Sequence, residues 1–200
     1  MPEQPPVFFF AAMSPYSWLA AERLGGVLPG AHWEPVYAGG LFNAAGRKSW
    51  GLDERRDEQI AECERRATRY GLGPIVWPQP WPTNDVHVAR AMTHAKNRGC
   101  LHDFALAVMR AAFRDGSDLE RREVLLELGA SVGIAPEEMD ASLGDPAVKQ
   151  QLRAATDGAH ELGVFGVPTV MVGEQLFWGD DRLEEAVSAA GATPGGADRS

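Results

Sequence analysis

Apolar and polar positions follow three regimes along the chain. Val7-Phe8-Phe9-Phe10-Ala11 is an unbroken apolar run rich in aromatics, which predicts a short strand covered on both faces. Ser14-Pro15 comes next, a favoured N-cap followed by the residue favoured at the first helical position. Trp18, Leu19, Glu22, Arg23 and Leu24 continue a helix that Gly25-Gly26 is expected to stop. His32 to Tyr37 predicts a second strand, so the first segment is β-α-β.

From Leu52 to about Leu162 the period is helical and no β-rich run appears. The pattern predicts helices over Asp53 to Tyr70, Asn84 to Arg98, Leu101 to Arg114, Asp118 to Val132, Pro136 to Leu143 and Pro146 to Leu162. A Pro/Trp-rich loop over Pro74 to Pro82 interrupts them. Strands return at Pro168 to Val172 and at Gln175 to Trp178, joined by a tight Gly173-Glu174 turn. A last helix is expected over Asp181 to Ala190, followed by a disordered Gly/Asp/Pro tail from Thr193 to Ser200. The order is β-α-β, an all-helical block, then α-β-β-α, an α/β architecture with a helical insertion.

Length and composition set limits on function. Two hundred residues of ordinary globular composition suffice for one large domain, or a small one with an insertion. The net charge of −9 and three scattered lysines (Lys48, Lys96, Lys149) argue against a phosphate-tracking surface, so no nucleic-acid partner is expected. The acidic, proline-rich start is unlike a signal peptide, and the run from Val7 to Met13 is too short to span a bilayer, so no membrane role is expected. Cys63 and Cys100 form no C-x-x-C, and such sparse cysteine use suits a reducing, cytoplasmic setting.

Two places carry candidate chemistry. Ser14 lies between a buried strand and a helix N-terminus, where unpaired N–H groups and the positive end of the macrodipole stabilise an anion. A thiolate is such an anion, and its pKa falls there. Serine cannot exchange disulfides, but it can donate a hydrogen bond to the thiolate of a bound ligand. A plain N-cap is the competing role. Gly163-Val164-Phe165-Gly166-Val167-Pro168-Thr169 joins a helix to a strand, with glycines suited to positive φ. A cis bond at Val167-Pro168 would turn the Val167 backbone outward to pair with a peptide-like ligand; a trans strand start is the alternative.

Phe8 to Ala20, with Ser14-Pro15-Tyr16-Ser17-Trp18-Leu19-Ala20 at its centre, resembles the opening motif of the 2-hydroxychromene-2-carboxylate isomerases. Gly163 to Thr169 followed by Leu176-Phe177-Trp178-Gly179-Asp180-Asp181-Arg182-Leu183 resembles the family's closing motif. Leu41-Phe42, Trp81-Pro82-Thr83-Asn84 and Ala89-Arg90-Ala91 also fall where the family has similar segments, so the likeness runs to about Ala190. The kappa-class glutathione transferases and DsbA-like proteins are relatives of that family.

The resemblance implies a thioredoxin-like domain in two segments, 1–50 and 147–192, with an inserted helical domain over 51–146. It implies a glutathione-dependent isomerase acting on a small aromatic-derived acid, and a homodimer. Carried over, Ser14 would hydrogen-bond the glutathione sulfur and Val167, before Pro168, would pair with the cysteinyl backbone. Asp181, with Asp180 beside it, would hold the γ-glutamyl ammonium. Asn84 would face substrate or cofactor. The family's Asp after the aromatic pair is Ala11 here, and Ala44-Ala45-Gly46-Arg47 and Lys48-Ser49-Trp50-Gly51 also depart from its pattern.

The remaining candidates are weaker. The five histidines have no metal-ligand spacing with either cysteine, so no metal is expected, and His87 stands out only for sharing a helix with Asn84. Trp77 and Trp81 could wall an aromatic pocket or pack under a loop. Two rival functions stay open: a kappa-like glutathione transferase or DsbA-family oxidoreductase-like protein, and a non-catalytic binding protein on the same scaffold. The missing C-x-x-C argues against dithiol chemistry.

Overall fold

A computed structural model describes residues 4–191. Strand β1 (Val7–Phe10) leads into helix α1 (Pro15–Val27) and β2 (His32–Pro35). Helices α2 (Ala38–Ala44), α3 (Arg56–Arg69), α4 (Val86–Asn97), α5 (Leu101–Phe113), α6 (Arg122–Ser131), α7 (Pro136–Gly144) and α8 (Pro146–Glu161) follow. Strands β3 (Thr169–Val172) and β4 (Gln175–Trp178) and helix α9 (Leu183–Ala189) close the described chain. The sheet order is β2-β1-β3-β4; β1 and β2 are parallel, and the other neighbours are antiparallel. This is the α/β, thioredoxin-like fold with an all-helical insertion between β2 and β3.

The alternation along β1 shows why its run is apolar throughout. Phe8 and Phe10 stack on one face at 5.3 Å and join the large core that holds Trp18, Phe104 and Phe113. Phe9 and Ala11 point into a second cluster with Val36, Leu41, Ala159 and Val164. Neither face meets water, so a polar residue at any of these positions would be buried without a partner. Each fully buried Phe contributes about 1.5–3 kcal/mol relative to exposure.

Several boundaries differ from the expected ones. Helix α1 runs through Gly25-Gly26 to Val27, because neither glycine takes a positive φ and Leu24 is anchored in the core. Strand β2 ends at Pro35, which has no N–H to continue a ladder. Helix α2 was not apparent in the sequence, since two glycines hide its propensity. Packing on α8 supports it, and a Cβ at Gly40 would sit 3.0 Å from Thr156 Cγ2. Helix α3 starts at Arg56 after a separate 3-10 turn over Trp50–Leu52, and α4 and α6 start at Val86 and Arg122, each later than expected. The last helix is split into a 3-10 turn at Asp180–Arg182 and α9. The tail from Thr193 lies outside the described residues. Among the described residues, no helix is long and apolar enough to cross a membrane.

Candidate active site

A cavity of about 1060 Å³ opens where the N-terminus of α1, the α2–α3 connection, the Pro/Trp loop and the turns flanking β3 and β4 meet. That is at the upper end of the range for small-ligand sites. Ser14, Asn84, Val167, Pro168, Asp180 and Asp181 all line it, so the fold brings every candidate site residue to one place.

Ser14 is the N-cap of α1, and its Oγ accepts a hydrogen bond from the Ser17 N–H at 3.2 Å. Capping uses the oxygen as an acceptor. The hydroxyl hydrogen has no acceptor among the described residues, so the cap and a donor role coexist. Ser17 is buried and accepts from the Ala11 N–H at 3.3 Å, tying the first turn of α1 to the end of β1.

The Val167-Pro168 bond is cis. Val167 is 9 % exposed, and neither its N–H nor its C=O finds a partner among the described residues. Orphaned buried backbone groups are rare in folded proteins, and a pair of them at a cavity wall suits an extended, peptide-like ligand. Gly163 takes a positive φ as expected, but Gly166 does not. A Cβ at Gly166 would lie 2.7 Å from Trp178 Nε1, so this glycine makes room for the indole against the loop.

The two aspartates play different parts. Asp180 has no exposed surface; its Oδ1 accepts from Arg66 Nη1 at 2.7 Å and its Oδ2 from the Tyr70 hydroxyl at 2.9 Å. Burial pushes its carboxyl up, and Arg66 and Tyr70 oppose that. Both oxygens are engaged within the protein, so Asp180 holds Arg66 in place at the cavity wall. Asp181 is half exposed and meets the same guanidinium at 3.2 Å, which leaves carboxylate surface free at the cavity. Arg66 also pairs with Glu62 at 2.7 Å, so one residue of α3 ties the insertion to the turn before α9.

Asn84 is exposed at the rim. Its Oδ1 accepts from the Val86 N–H at 3.2 Å and its own N–H donates to Glu120 at 2.9 Å, leaving the amide NH₂ available. Trp81 is buried; its indole N–H donates to the Met13 carbonyl at 3.2 Å, pinning the Pro/Trp loop beside Ser14. Trp50 packs on Trp81 at 4.9 Å and Tyr16 on Trp50 at 5.9 Å, which forms an aromatic wall. Trp77 stands behind Trp81 at 4.8 Å and does not line the cavity. Of the two tryptophans in that loop, one therefore walls the pocket and the other packs beneath it.

In the sequence, Arg47 and Lys48 stand out only as departures from a family pattern, and Asp85 does not stand out at all. Arg47 stacks over Phe165 and Trp178 at 5.4 and 5.1 Å and, like Lys48, has no carboxylate partner among the described residues. Asp85 lines the cavity at 9 % exposure, and burial raises its carboxyl to about 6. It falls inside the helix expected from Asn84 onward, and only its burial marks it out. Cys63 is buried, with its thiol pushed up to about 12 by that burial, so it is unsuited to thiolate chemistry. Among the described residues, no group of three or more His, Cys, Asp or Glu side chains could hold a metal ion.

A 2-hydroxychromene-2-carboxylate isomerase of Sphingobium xenophagum is 28% identical over 189 residues, covering 88% of this chain and 93% of that one. A protein of the same name from Pseudomonas putida is 25% identical, covering 92% and 93%. A solved structure of 2-hydroxychromene-2-carboxylate isomerase superposes with a TM-score of 0.83 at 24% identity, over 93% of this chain and 94% of that one. The model of the DSBA-like thioredoxin domain matches residues 7–190. With that match spanning almost the whole described chain, the protein belongs to the DSBA-like thioredoxin domain family.

Proposed function

We propose that the protein is a glutathione-dependent isomerase acting on 2-hydroxychromene-2-carboxylate or a close aromatic-derived acid. The observation that carries this reading is the pairing, in one cavity, of the free Ser14 hydroxyl at a helix N-terminus with the unpartnered Val167 backbone. Two relatives of this name, aligned over nearly their whole length, support it.

Glutathione, when bound, supplies a thiolate that adds reversibly to a conjugated double bond, so that the bond can rotate. The chain's own groups do the rest. The Ser14 hydroxyl donates to the sulfur, and the N-terminus of α1 favours its negative charge. Val167 holds the cysteinyl backbone through its N–H and C=O. Asp181 takes the γ-glutamyl ammonium, held in place by Arg66. The wall of Tyr16, Trp50 and Trp81 receives the aromatic ring, and Arg47 and Lys48 offer counter-charge to an acid. Asn84 donates its amide N–H to the substrate. The protein acts as a homodimer in the cytoplasm.

The test is conversion of 2-hydroxychromene-2-carboxylate followed by absorbance, with and without glutathione, together with calorimetric binding of glutathione to the free protein. Thiol-dependent turnover with saturable binding is expected. Binding with no turnover, and conjugation of a generic electrophile instead, would move the protein to the transferases. No binding at all would leave only the scaffold.

A further inference from the structure

We propose that Asp85 is the proton-transfer residue of this cavity, taking the hydroxyl proton of a cyclic hemiketal and returning it to the ring oxygen that leaves. The inference rests on the substrate class proposed above but not on the thiol.

Asp85 occupies the N-cap position of α4, yet its side chain makes no cap hydrogen bond. Asn84 supplies the oxygen for the first turn instead, through the Val86 N–H. No cation pairs with Asp85 among the described residues. The one hydrogen bond its carboxylate draws on comes from its own backbone N–H. A carboxylate nine-tenths buried, neither capping nor ion-paired, and bordering the main cavity is expensive for a fold to keep. A structural role does not account for it. Burial raises its carboxyl to about 6, the range in which a general base works at neutral pH.

The charged neighbours leave that setting intact. Tyr37, from the turn after β2, is the phenol that senses Asp85, and both burial and that charge push it up. Glu120, on the α5–α6 connection, is engaged by the Asn84 N–H. Arg90, one turn along α4, directs Nη1 to the Leu143 carbonyl at 2.7 Å. Further along α4, His94 and Arg98 pair with Glu138 of α7, and Lys96 with Glu34 of β2. Of the cations lining the cavity, Arg55 is paired with Asp53, Arg66 with Asp180, Asp181 and Glu62, and Arg182 with Glu185. Arg47, which lies over Phe165 and Trp178, and Lys48 have no carboxylate partner among the described residues.

The chemistry follows from the ring itself. A 2-hydroxychromene-2-carboxylate bears a hydroxyl, the ring oxygen and a carboxylate on one carbon, so it is a hemiketal. Its double bond can rotate only after the ring opens. The Asp85 carboxylate takes the hydroxyl proton, the O–H electrons form the C=O bond, and the bond from carbon to the aryl oxygen breaks. The electron pair goes to the aryl oxygen, which then takes the proton back from Asp85. The product is a ring-opened keto acid, the carboxylate is regenerated, and nothing is oxidised or reduced.

The test separates this step from the thiol. Exchange between ring-closed and ring-opened cis forms is measured by NMR without any thiol present, for wild type, Asp85→Asn and Asp85→Glu. Wild type is expected to accelerate opening, with an acid limb centred near 6. Asp85→Asn is expected to lose about 10²–10⁴-fold and the limb with it, and Asp85→Glu to recover part of the rate. A carboxyl-carbon titration of the free protein should place Asp85 at about 6. No acceleration by wild type, or equal acceleration by Asp85→Asn, overturns the proposal. Formation of the trans isomer with glutathione is scored separately. If it fails while opening still depends on Asp85, the thiol reading falls and the role of Asp85 stands.

Discussion

At the scale of single residues, three side chains at one cavity carry separable predictions. If Ser14 donates to a bound thiolate as proposed, Ser14→Ala removes a hydrogen bond worth roughly 1.5–3 kcal/mol, and so about ten- to a hundredfold in rate. It also removes the cap oxygen that serves the Ser17 N–H, at a cost of about 1 kcal/mol in stability. The pKa of the bound thiol, read from thiolate absorbance, should rise in the variant; an unchanged thiol pKa would take Ser14 out of the mechanism. Asp181 is far less buried than Asp180, and its one ion-pair partner among the described residues is Arg66. An ammonium held there binds ground and transition states alike, so Asp181→Asn should raise KM for glutathione and leave kcat nearly alone. A fall in kcat at saturating glutathione contradicts that assignment. For Asp85 the linkage sign is the reverse of the usual carboxylate. Its folded pKa, about 6, lies above the unfolded value. The unfolded state therefore loses its proton first, and stability falls as pH rises from about 4 to about 6. Asp85→Asn should stabilise the protein on the order of 2–3 kcal/mol at pH 7.5 and hardly at all near pH 4. Melting curves at the two pH values decide it.

At the scale of elements, the site is held by ties between parts far apart in sequence. Arg66 of α3 engages Asp180 and Asp181 in the turn before α9, and Trp81 fixes the Pro/Trp loop to the carbonyl before Ser14. Arg66→Ala strands the Asp180 carboxylate, which has no exposed surface, with only Tyr70 for a partner. Breaking a buried ion pair in this way costs about 3–5 kcal/mol. The same change frees Asp181 from its clamp, so glutathione affinity should fall together with stability. A variant that melts like wild type would show that Arg66 is not the tie described here. The element boundaries that differed from expectation have local causes. Periodicity located α1, α5 and α8 well because their apolar faces are long. It missed α2, whose seven residues include two glycines and only one buried side chain. What keeps α2 helical is its contact with α8, which a window on the sequence cannot see.

At the scale of the whole molecule, a DSBA-like scaffold carries no C-x-x-C at the start of its first helix. Ser14-Pro15-Tyr16-Ser17 places two hydroxyls where a C-x-x-C would place two thiols, at the start of the helix that leaves β1. The two cysteines present lie elsewhere: Cys63 is buried in α3, and Cys100 precedes α5. The wild-type protein should therefore not reduce insulin disulfides. The double substitution Ser14→Cys and Ser17→Cys should introduce that activity, since a helix N-terminus lowers thiol pKa. If the double variant folds and its dithiol stays inert, the electrostatics argued for Ser14 are wrong.

The sequence by itself determined the order of the strands and of every helix but α2, the buried character of β1, the helix start at Ser14 and the loop before Pro168. These follow from local periodicity, capping chemistry and the fixed φ of proline. A family likeness added which residues to watch, and the fold gathers all of them at one cavity. Only the tertiary structure decided what each one faces. Asp180 and Asp181 are neighbours of the same type, yet one is sealed between Arg66 and Tyr70 while the other keeps free surface. Trp77 and Trp81 sit in one loop, yet a single one reaches the ligand space. Asp85 carried no signal in the sequence, and its burial without a cap bond or a cation among the described residues emerges only in three dimensions. The physical reason is common to all three. Backbone conformation depends on near neighbours along the chain, whereas burial, ion pairing and pKa depend on groups brought in from α3, the Pro/Trp loop and the turn before α9.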